Sequence, residues 1–159
     1  MLSTLATTFD KKAVELGLAN ANVQGHGPYD IIKVASLIEA EAKIDADRPL
    51  IASVIYNRLA RGMPLQIDAT LIYARGDPRN RSLSNKDKLI NSPYNTYMHT
   101  GLPPTPIASV SAASLKAALA PASTQYLYYV VIDKKGDTAF ATTLQQQNNN
   151  IAIARKNGV

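Results

Sequence analysis

The 159-residue sequence contains no cysteine, so disulfide bonds and thiol chemistry are both excluded. Its two histidines, His26 and His99, lie far apart, and no carboxylates accompany them at a recognisable ligand spacing. A zinc site is therefore not expected. A chain without cysteine suits an oxidising space outside the cytoplasm, although this absence does not fix the compartment.

Long apolar segments are also missing. No run of about 18 apolar residues occurs, so no membrane-spanning helix is predicted. The N-terminal segment MLSTLATTFDKKAVELG lacks the basic flank and the small-residue cleavage site of a signal peptide. These absences leave two interpretations, a cytoplasmic protein or the soluble part of a longer one.

Motifs for nucleophilic or nucleotide chemistry are absent as well. The sequence has no G-x-S-x-G, no G-x-x-x-x-G-K-[ST], and no G-x-G-x-x-G after a predicted strand. Carboxylates therefore remain as the candidate catalytic groups.

Positive charge exceeds negative charge, and the formal net charge is +5. A basic surface attracts nucleic acid, anionic lipid and anionic cell-wall polymer alike, or it simply adds solubility. The basic residues of the middle segment are scattered and are not interleaved with aromatic residues into a stacking platform, so no nucleic-acid partner is expected. They are Arg75, Arg79, Arg81, Lys86 and Lys88.

Helical spacing of apolar residues dominates the first third of the chain. It predicts a helix over residues 2–19, and then a second helix that Asp30 caps and that runs to about Ile44. Asp47 is predicted to cap a third helix, which Gly62 closes.

The last third combines helices with strands. Ser111 is predicted to begin a short helix, and the apolar run at 126–132 forms a hairpin with TAFAT across the turn DKKGD. The terminal segment is predicted to be a polar helix whose Gln/Asn run is a solvated face. Residues 1–159, 46% hydrophobic, are thus expected to form one mainly helical α+β domain with a small antiparallel β element.

The middle segment, residues 62–110, is rich in Asn, Pro, Ser and Gly and has one short helical piece near 69–74. Long segments with little regular structure are uncommon unless they are functional, so we expect the ligand here. The segment contains side chains that hold polyhydroxylated ligands, namely Tyr73, Asn91, Tyr94, Asn95, Thr96 and Tyr97.

Two glutamates of KVASLIEAEAKI lie two positions apart and point to nearly opposite sides of a helix. Glu39 has Lys43 one turn away, where a solvated ion pair is natural. Glu41 lies beside Leu37 and Ile38 of the apolar face, and the lost solvation is expected to raise its pKa, as a general acid near neutral pH requires. Glu41 is therefore the better candidate acid. The alternative is an ordinary solvated residue at the helix edge.

Several motifs in the same order resemble one family. They are ASLIEAE, VIYNRL, the LQ-x-D-x-T-x-x-Y run at 65–73, and SPYNTY followed by GLPP. Over about residues 30–145 the chain resembles the catalytic core of the endolytic murein transglycosylases, the YceG-like domain.

The resemblance implies a lysozyme-like lytic enzyme that cleaves the β-1,4 bond between N-acetylmuramic acid and N-acetylglucosamine without adding water. The product would carry a 1,6-anhydromuramyl end. The second glutamate of the I-E-x-E segment, here Glu41, would be the general acid and then the base. One carboxylate is enough because the C6 hydroxyl of the substrate is the final nucleophile, whereas ordinary glycosidases use two. No metal or organic cofactor is needed.

Partners and location also follow from the resemblance. Peptidoglycan glycan strands would be the substrate, and the peptidoglycan synthases would be partners. Family members carry an N-terminal transmembrane anchor and a LysM-like module, which this chain lacks. The resemblance thus implies an excised, soluble catalytic domain of an enzyme at the outer face of the cytoplasmic membrane.

The other motif residues are assigned to substrate binding. Gln66 and Asp68 are candidates for bonds to sugar hydroxyls or to an acetamido group, with a helix cap as the alternative for Asp68. The tyrosines Tyr73, Tyr94 and Tyr97 can stack on sugar rings, although at least one is expected in the core. The remaining predicted polar contacts are Asn95 and Thr96. Arg58 is expected to anchor the fold by pairing with an acid, or to lie near a substrate carboxylate.

Three rival functions remain open at this point. A non-catalytic peptidoglycan-binding module would show the same basic, tyrosine-rich surface. A hydrolytic muramidase would use a second carboxylate, such as Asp68, to activate water. A nucleic-acid-binding domain rests on the charge alone.

Overall fold

The computed structural model describes the backbone of residues 2–159 and the side chains from Phe9 onward. Six α-helices and one pair of β-strands make up the described part. In chain order they are α1 (Leu2–Glu15), α2 (Pro28–Glu41), α3 (Arg48–Ala60), α4 (Asp68–Arg75), α5 (Ala112–Leu119), β1 (Tyr128–Val131), β2 (Thr138–Ala141) and α6 (Leu144–Lys156). The predicted mainly helical α+β class is confirmed.

Helix α2 forms the centre of the core. Its residues Ile31, Val34, Leu37 and Ile38 are fully buried, and α2 packs against both α3 and α5. The middle turns of α2 are apolar around most of their circumference, as expected for a helix covered on several sides. The last turn of α2 nevertheless carries two glutamates, so this turn lies at the boundary between the core and the surface.

The ends of α2 differ from the prediction. Pro28 is the first helical residue and Gly27 is the cap residue, whereas Asp30 lies inside the first turn. Proline suits that first position because its φ is already helical and its missing N–H would have no partner there. The helix ends at Glu41, since Ala42 is already extended, and not near Ile44.

The later elements match the prediction more closely. β1 pairs with β2 in antiparallel register, with Tyr129 opposite Phe140, and the turn between them includes Gly136 at φ +95°. Thr143 and Gln146 form a capping box at the start of α6, which packs on β1. Between α3 and α5 the chain is irregular apart from α4 and one 3-10 turn, Asp87–Leu89.

No helix within residues 2–159 is both long enough and apolar enough to cross a membrane.

Candidate active site

Glu41 is the last residue of α2, and elements from distant parts of the chain surround its carboxylate. The hydroxyl of Tyr129, on β1, donates a hydrogen bond to Oε2 at 2.8 Å. The backbone N–H of Ala69, at the start of α4, also donates to the carboxylate. Although Glu41 as a residue is partly exposed, protein atoms crowd its carboxylate and strip it of water.

These surroundings raise the pKa of Glu41 above its ordinary value of 4.5. Desolvation is the main cause, and the negative charge of Asp68 acts in the same direction. The hydrogen bonds from Tyr129 and Ala69 oppose the shift but do not cancel it. A carboxyl with a raised pKa holds its proton closer to neutral pH, which suits a general acid.

Glu39 lies in the opposite electrostatic situation. Its Oε2 accepts hydrogen bonds from the hydroxyls of Ser111 at 2.5 Å and Ser114 at 2.6 Å, and it pairs with Nη1 of Arg48 at 3.2 Å. Burial acts to raise the pKa of Glu39, but the serine bonds and the charge of Arg48 outweigh it, so the pKa is lowered. Glu39 thus joins α2 to the starts of α3 and α5, and the expected exposed pair with Lys43 gives way to this network.

Glu41 stands between two clefts. The first cleft has a volume of about 410 Å³ and is lined by the segment 65–68, Tyr97, β1 and α6. The second cleft, of about 350 Å³, lies between α2, α4 and β1, with Lys43 and Arg81 at its edge. Glu41, Asp68 and Tyr129 line both clefts, so an extended ligand that crosses them would pass over the Glu41 carboxylate.

Asp68 and Tyr97 form a second polar pair at this junction. The Tyr97 hydroxyl donates to Oδ1 of Asp68 at 2.5 Å, and burial together with this bond raises the pKa of Tyr97. Asp68 is the first residue of α4, and the cap position is occupied by Ile67. The alternative in which Asp68 caps this helix is therefore wrong, and its exposed carboxylate faces both clefts.

Arg58 and Gln66 both line the first cleft. Arg58 is 8% exposed and donates to the backbone carbonyls of Pro64, Leu65 and Leu127, so its partners are carbonyls rather than the acid expected from sequence. Its Nη1 also donates to Oε1 of Gln66 at 3.3 Å. Gln66 has a positive φ of 54°, a conformation that a residue other than glycine adopts only when its surroundings hold it there.

The structure does not bring the other predicted ligand residues to the clefts. Asn95 is fully buried, and its amide donates to the carbonyls of Lys88 and Ile90. Thr96 is 3% exposed and accepts from the backbone N–H of Ile67 at 3.0 Å. In place of the predicted ligand contacts, Asn95 holds the loop that follows α4 and Thr96 holds the segment that precedes it.

Tyr73 and Tyr94 form a pair away from the clefts. Their ring centroids are 4.8 Å apart, and the Tyr94 hydroxyl is 2.8 Å from Oγ1 of Thr105. Tyr73 is 45% exposed, but neither tyrosine lines the clefts around Glu41. The sugar stacking predicted for them is not supported by this placement.

Sequence reasoning missed several residues of the site. The sequence predicts Tyr128 and Tyr129 only as parts of a strand, and Gln147 and Asn148 as part of a solvated face. All four line the first cleft. Most of the Gln/Asn run is exposed, as predicted for a solvated face, but α6 packs on β1 and brings Gln147 and Asn148 to the cleft. The contact between Tyr129 and Glu41 joins residues 88 positions apart, and no local pattern indicates it.

No group of three or more His, Asp or Glu side chains that could bind a metal ion occurs in the described part of the chain.

Comparison with known proteins identifies the family. The model of the YceG-like family matches residues 1–153. The endolytic murein transglycosylase of Bacillus subtilis (strain 168) is 49% identical over 120 residues, which are 76% of this chain and 33% of that protein. The endolytic murein transglycosylase of Streptococcus pneumoniae serotype 2 (strain D39) is 36% identical over 127 residues, 77% of this chain and 23% of that protein.

A solved structure agrees with these matches. A crystal structure of a YceG-like protein from Listeria monocytogenes superposes with a TM-score of 0.75 at 37% identity, over 90% of this chain and 44% of that one. The chain thus spans about a quarter to a third of the curated relatives' length. The resemblance carried by the sequence motifs is confirmed: the chain belongs to the YceG-like family.

Proposed function

We propose that this chain is a lytic transglycosylase of peptidoglycan, with Glu41 as the general acid and then the general base. The observation that carries the proposal is the position of Glu41, a desolvated carboxyl with a raised pKa at the junction of two clefts. A glycan strand lying through both clefts would place one sugar on each side of this carboxyl. The names of the relatives, endolytic murein transglycosylases, support murein as the substrate.

The reaction needs one carboxyl group and no water. Protonated Glu41 gives its proton to the glycosidic oxygen as the bond from that oxygen to C1 of the N-acetylmuramic acid breaks. The acetamido group of the same sugar assists at C1 between the two steps. The C6 hydroxyl then bonds to C1 and returns its proton to Glu41, which leaves a 1,6-anhydro end and regenerates the acid. Tyr129 holds Oε2 of Glu41 during both transfers.

The substrate contacts that fit this geometry are fewer than the sequence suggested. Gln66, Asp68 and Tyr97 line the first cleft, and Tyr128 adds an aromatic ring there. Aromatic rings and amide groups are suited to sugar rings and their acetamido substituents. With this substrate, the protein would work outside the cytoplasm, beside the peptidoglycan synthases.

A hydrolytic muramidase is the second candidate, and Asp68 is the observation that favours it. Asp68 is an exposed carboxylate that lines the same two clefts as Glu41. In a hydrolase it would activate a water molecule while Glu41 protonates the leaving oxygen. The product would then carry a reducing end in place of an anhydro end.

Mass spectrometry of digested peptidoglycan distinguishes these functions. Wild type, Glu41→Gln and the control Glu39→Gln are incubated with purified sacculi, and the released glycans are analysed. Anhydromuramyl products are expected from wild type and Glu39→Gln but not from Glu41→Gln. Reducing ends would favour the hydrolase, and cleavage by Glu41→Gln at the wild-type rate would contradict the assignment of the acid. Binding of sacculi without any cleavage by wild type would leave the non-catalytic binding module.

A further inference from the structure

Gln147 lines the first cleft, and its side chain has a hydrogen-bond acceptor without a partner. Its Nε2 donates to the backbone carbonyl of Tyr129 at 3.0 Å. Because a carbonyl oxygen only accepts, this bond fixes which end of the amide is nitrogen. The opposite end, Oε1, is buried and has no hydrogen-bond partner among the described residues, whose side chains begin at Phe9. Buried acceptors without partners are rare, and each calls for an explanation.

Gln66 presents the complementary group in the same cleft. Its Oε1 accepts from Nη1 of Arg58, and a guanidinium only donates, so the orientation of this amide is fixed as well. Its Nε2 is left as a donor. Gln147 on α6 and Gln66 on the segment before α4 both line the first cleft, so an amide oxygen without a partner and an amide nitrogen that can donate belong to its walls.

We propose that Gln147 is a specificity-determining residue whose Oε1 accepts a hydrogen bond from the acetamido N–H of an N-acetylhexosamine bound in the first cleft. This inference rests on the proposed function, because it takes an N-acetylated glycan as the ligand. An acetamido group is itself an amide with one obligate donor and one acceptor, and it matches the pair that Gln147 and Gln66 present. A sugar with a hydroxyl at C2 has only one polar atom there, which can donate or accept, and so it lacks the separate N–H and C=O of the acetamido group.

Gln147 also contacts the backbone of Tyr129, whose hydroxyl bonds to Glu41. A purely structural Gln147 would act through this strand and would change catalysis. If Gln147 binds the acetamido group, its substitution changes ligand preference instead. Binding of short oligosaccharides separates the two roles, and it needs no cleavage.

The experiment is an NMR titration of the 15N-labelled protein with chitotetraose and with cellotetraose, which carries hydroxyls in place of the acetamido groups. Wild type is expected to prefer chitotetraose. Gln147→Met is expected to bind chitotetraose roughly tenfold more weakly and cellotetraose unchanged. The control is Gln145→Met, because Gln145 is exposed on the same helix and does not line the cleft. It should bind both ligands as wild type does.

A second variant guards against a disturbed strand. Gln147→Glu loses the N–H that bonds to Tyr129 but keeps acceptor oxygens. It is therefore expected to show the preference for chitotetraose that Gln147→Met has lost. The proposal is wrong if Gln147→Met keeps the wild-type preference, if it weakens both ligands equally, or if Gln147→Glu behaves like Gln147→Met. If wild type prefers chitotetraose and this preference depends on Gln147, but wild type cleaves no glycan, the result counts against the catalytic function alone.

Discussion

Replacing each of the two glutamates of α2 by glutamine should produce opposite effects on stability and activity. Glu39 is an ionised group that several donors stabilise, and its pKa is lowered. Glu41 is a desolvated group whose charge the fold disfavours, and its pKa is raised. Neutralising Glu39 should therefore destabilise the protein and leave the chemistry intact. Neutralising Glu41 should remove the chemistry and leave stability equal or higher at neutral pH.

The size of the Glu39 effect follows from its contacts. Two serine hydroxyls, the Ser111 N–H and Arg48 converge on one oxygen, Oε2. A glutamine oxygen can keep the geometry, but the bonds lose their charge, and charged bonds contribute about twice as much as neutral ones. Because the donors share one oxygen, we expect a total loss of about 2 kcal/mol. For a chain of this length that corresponds to a Tm roughly 4 to 8 °C lower.

The pH dependence of these effects has opposite signs. A lowered pKa means that Glu39 contributes stability above its unfolded value, near 4.5, and loses this contribution as the pH falls through its folded pKa. A raised pKa means that Glu41 carries no penalty below 4.5 and destabilises the fold as the pH rises through its folded pKa. The deficit of Glu39→Gln should shrink on acidification, and any gain of Glu41→Gln should vanish.

The assay is urea denaturation of wild type and both variants between pH 4 and pH 8, with glycan cleavage measured on the same samples. Cleavage by Glu41→Gln should fall by roughly 10²- to 10⁴-fold, the usual contribution of a general acid. If Glu41→Gln were destabilised as much as Glu39→Gln at pH 7, the desolvation argument would be refuted. If Glu39→Gln folds but no longer cleaves, Glu39 is the acid and its assignment to Glu41 is wrong.

Three further predictions concern the surroundings of Glu41. Tyr129→Phe removes a hydrogen bond that lowers the Glu41 pKa, so the alkaline limb of kcat/KM on glycan strands should move to higher pH; an unmoved limb would disprove the coupling. Asp68→Asn removes a negative charge that raises the same pKa, so that limb should move to lower pH, and a shift upward would contradict the assigned charge effect. Asn95→Ala should lower stability in urea by about 1 to 3 kcal/mol because it removes two side-chain hydrogen bonds from a fully buried position, while KM at low temperature stays unchanged; a raised KM would restore its predicted ligand role.

The fold could be predicted well wherever the signal is local. The hairpin at 128–141 follows from a β-prone run, a turn and a second run, and α3 follows from periodic apolar residues closed by Gly62. The start of α2 was predicted at the wrong residue because Asp30 is a good cap by type, whereas Pro28 already sets a helical first turn. Boundary errors of this kind arise when two local signals compete.

The candidate site could be predicted only in part, for a different physical reason. The assignment of Glu41 as the acid follows from its neighbours on one helix face, which is a local property. Its other walls come from β1 and α6, and their side chains reach Glu41 only after tertiary packing. The polar residues Asn95 and Thr96 show the reverse error, because a buried amide that satisfies backbone groups has the same sequence appearance as one that binds sugar.

The last turn of α2 explains how two carboxyls of one helix can differ so strongly. A spacing of two residues turns them to opposite sides, so each meets a different set of elements. Glu39 meets the starts of α3 and α5, where serine hydroxyls and Arg48 keep it ionised and fasten the turn. Glu41 meets β1 and α4, where lost solvation outweighs two hydrogen bonds. One turn of α2 therefore carries two carboxyls with separate roles: the interactions of Glu39 stabilise the fold, and the carboxyl of Glu41 lies at the junction of the clefts.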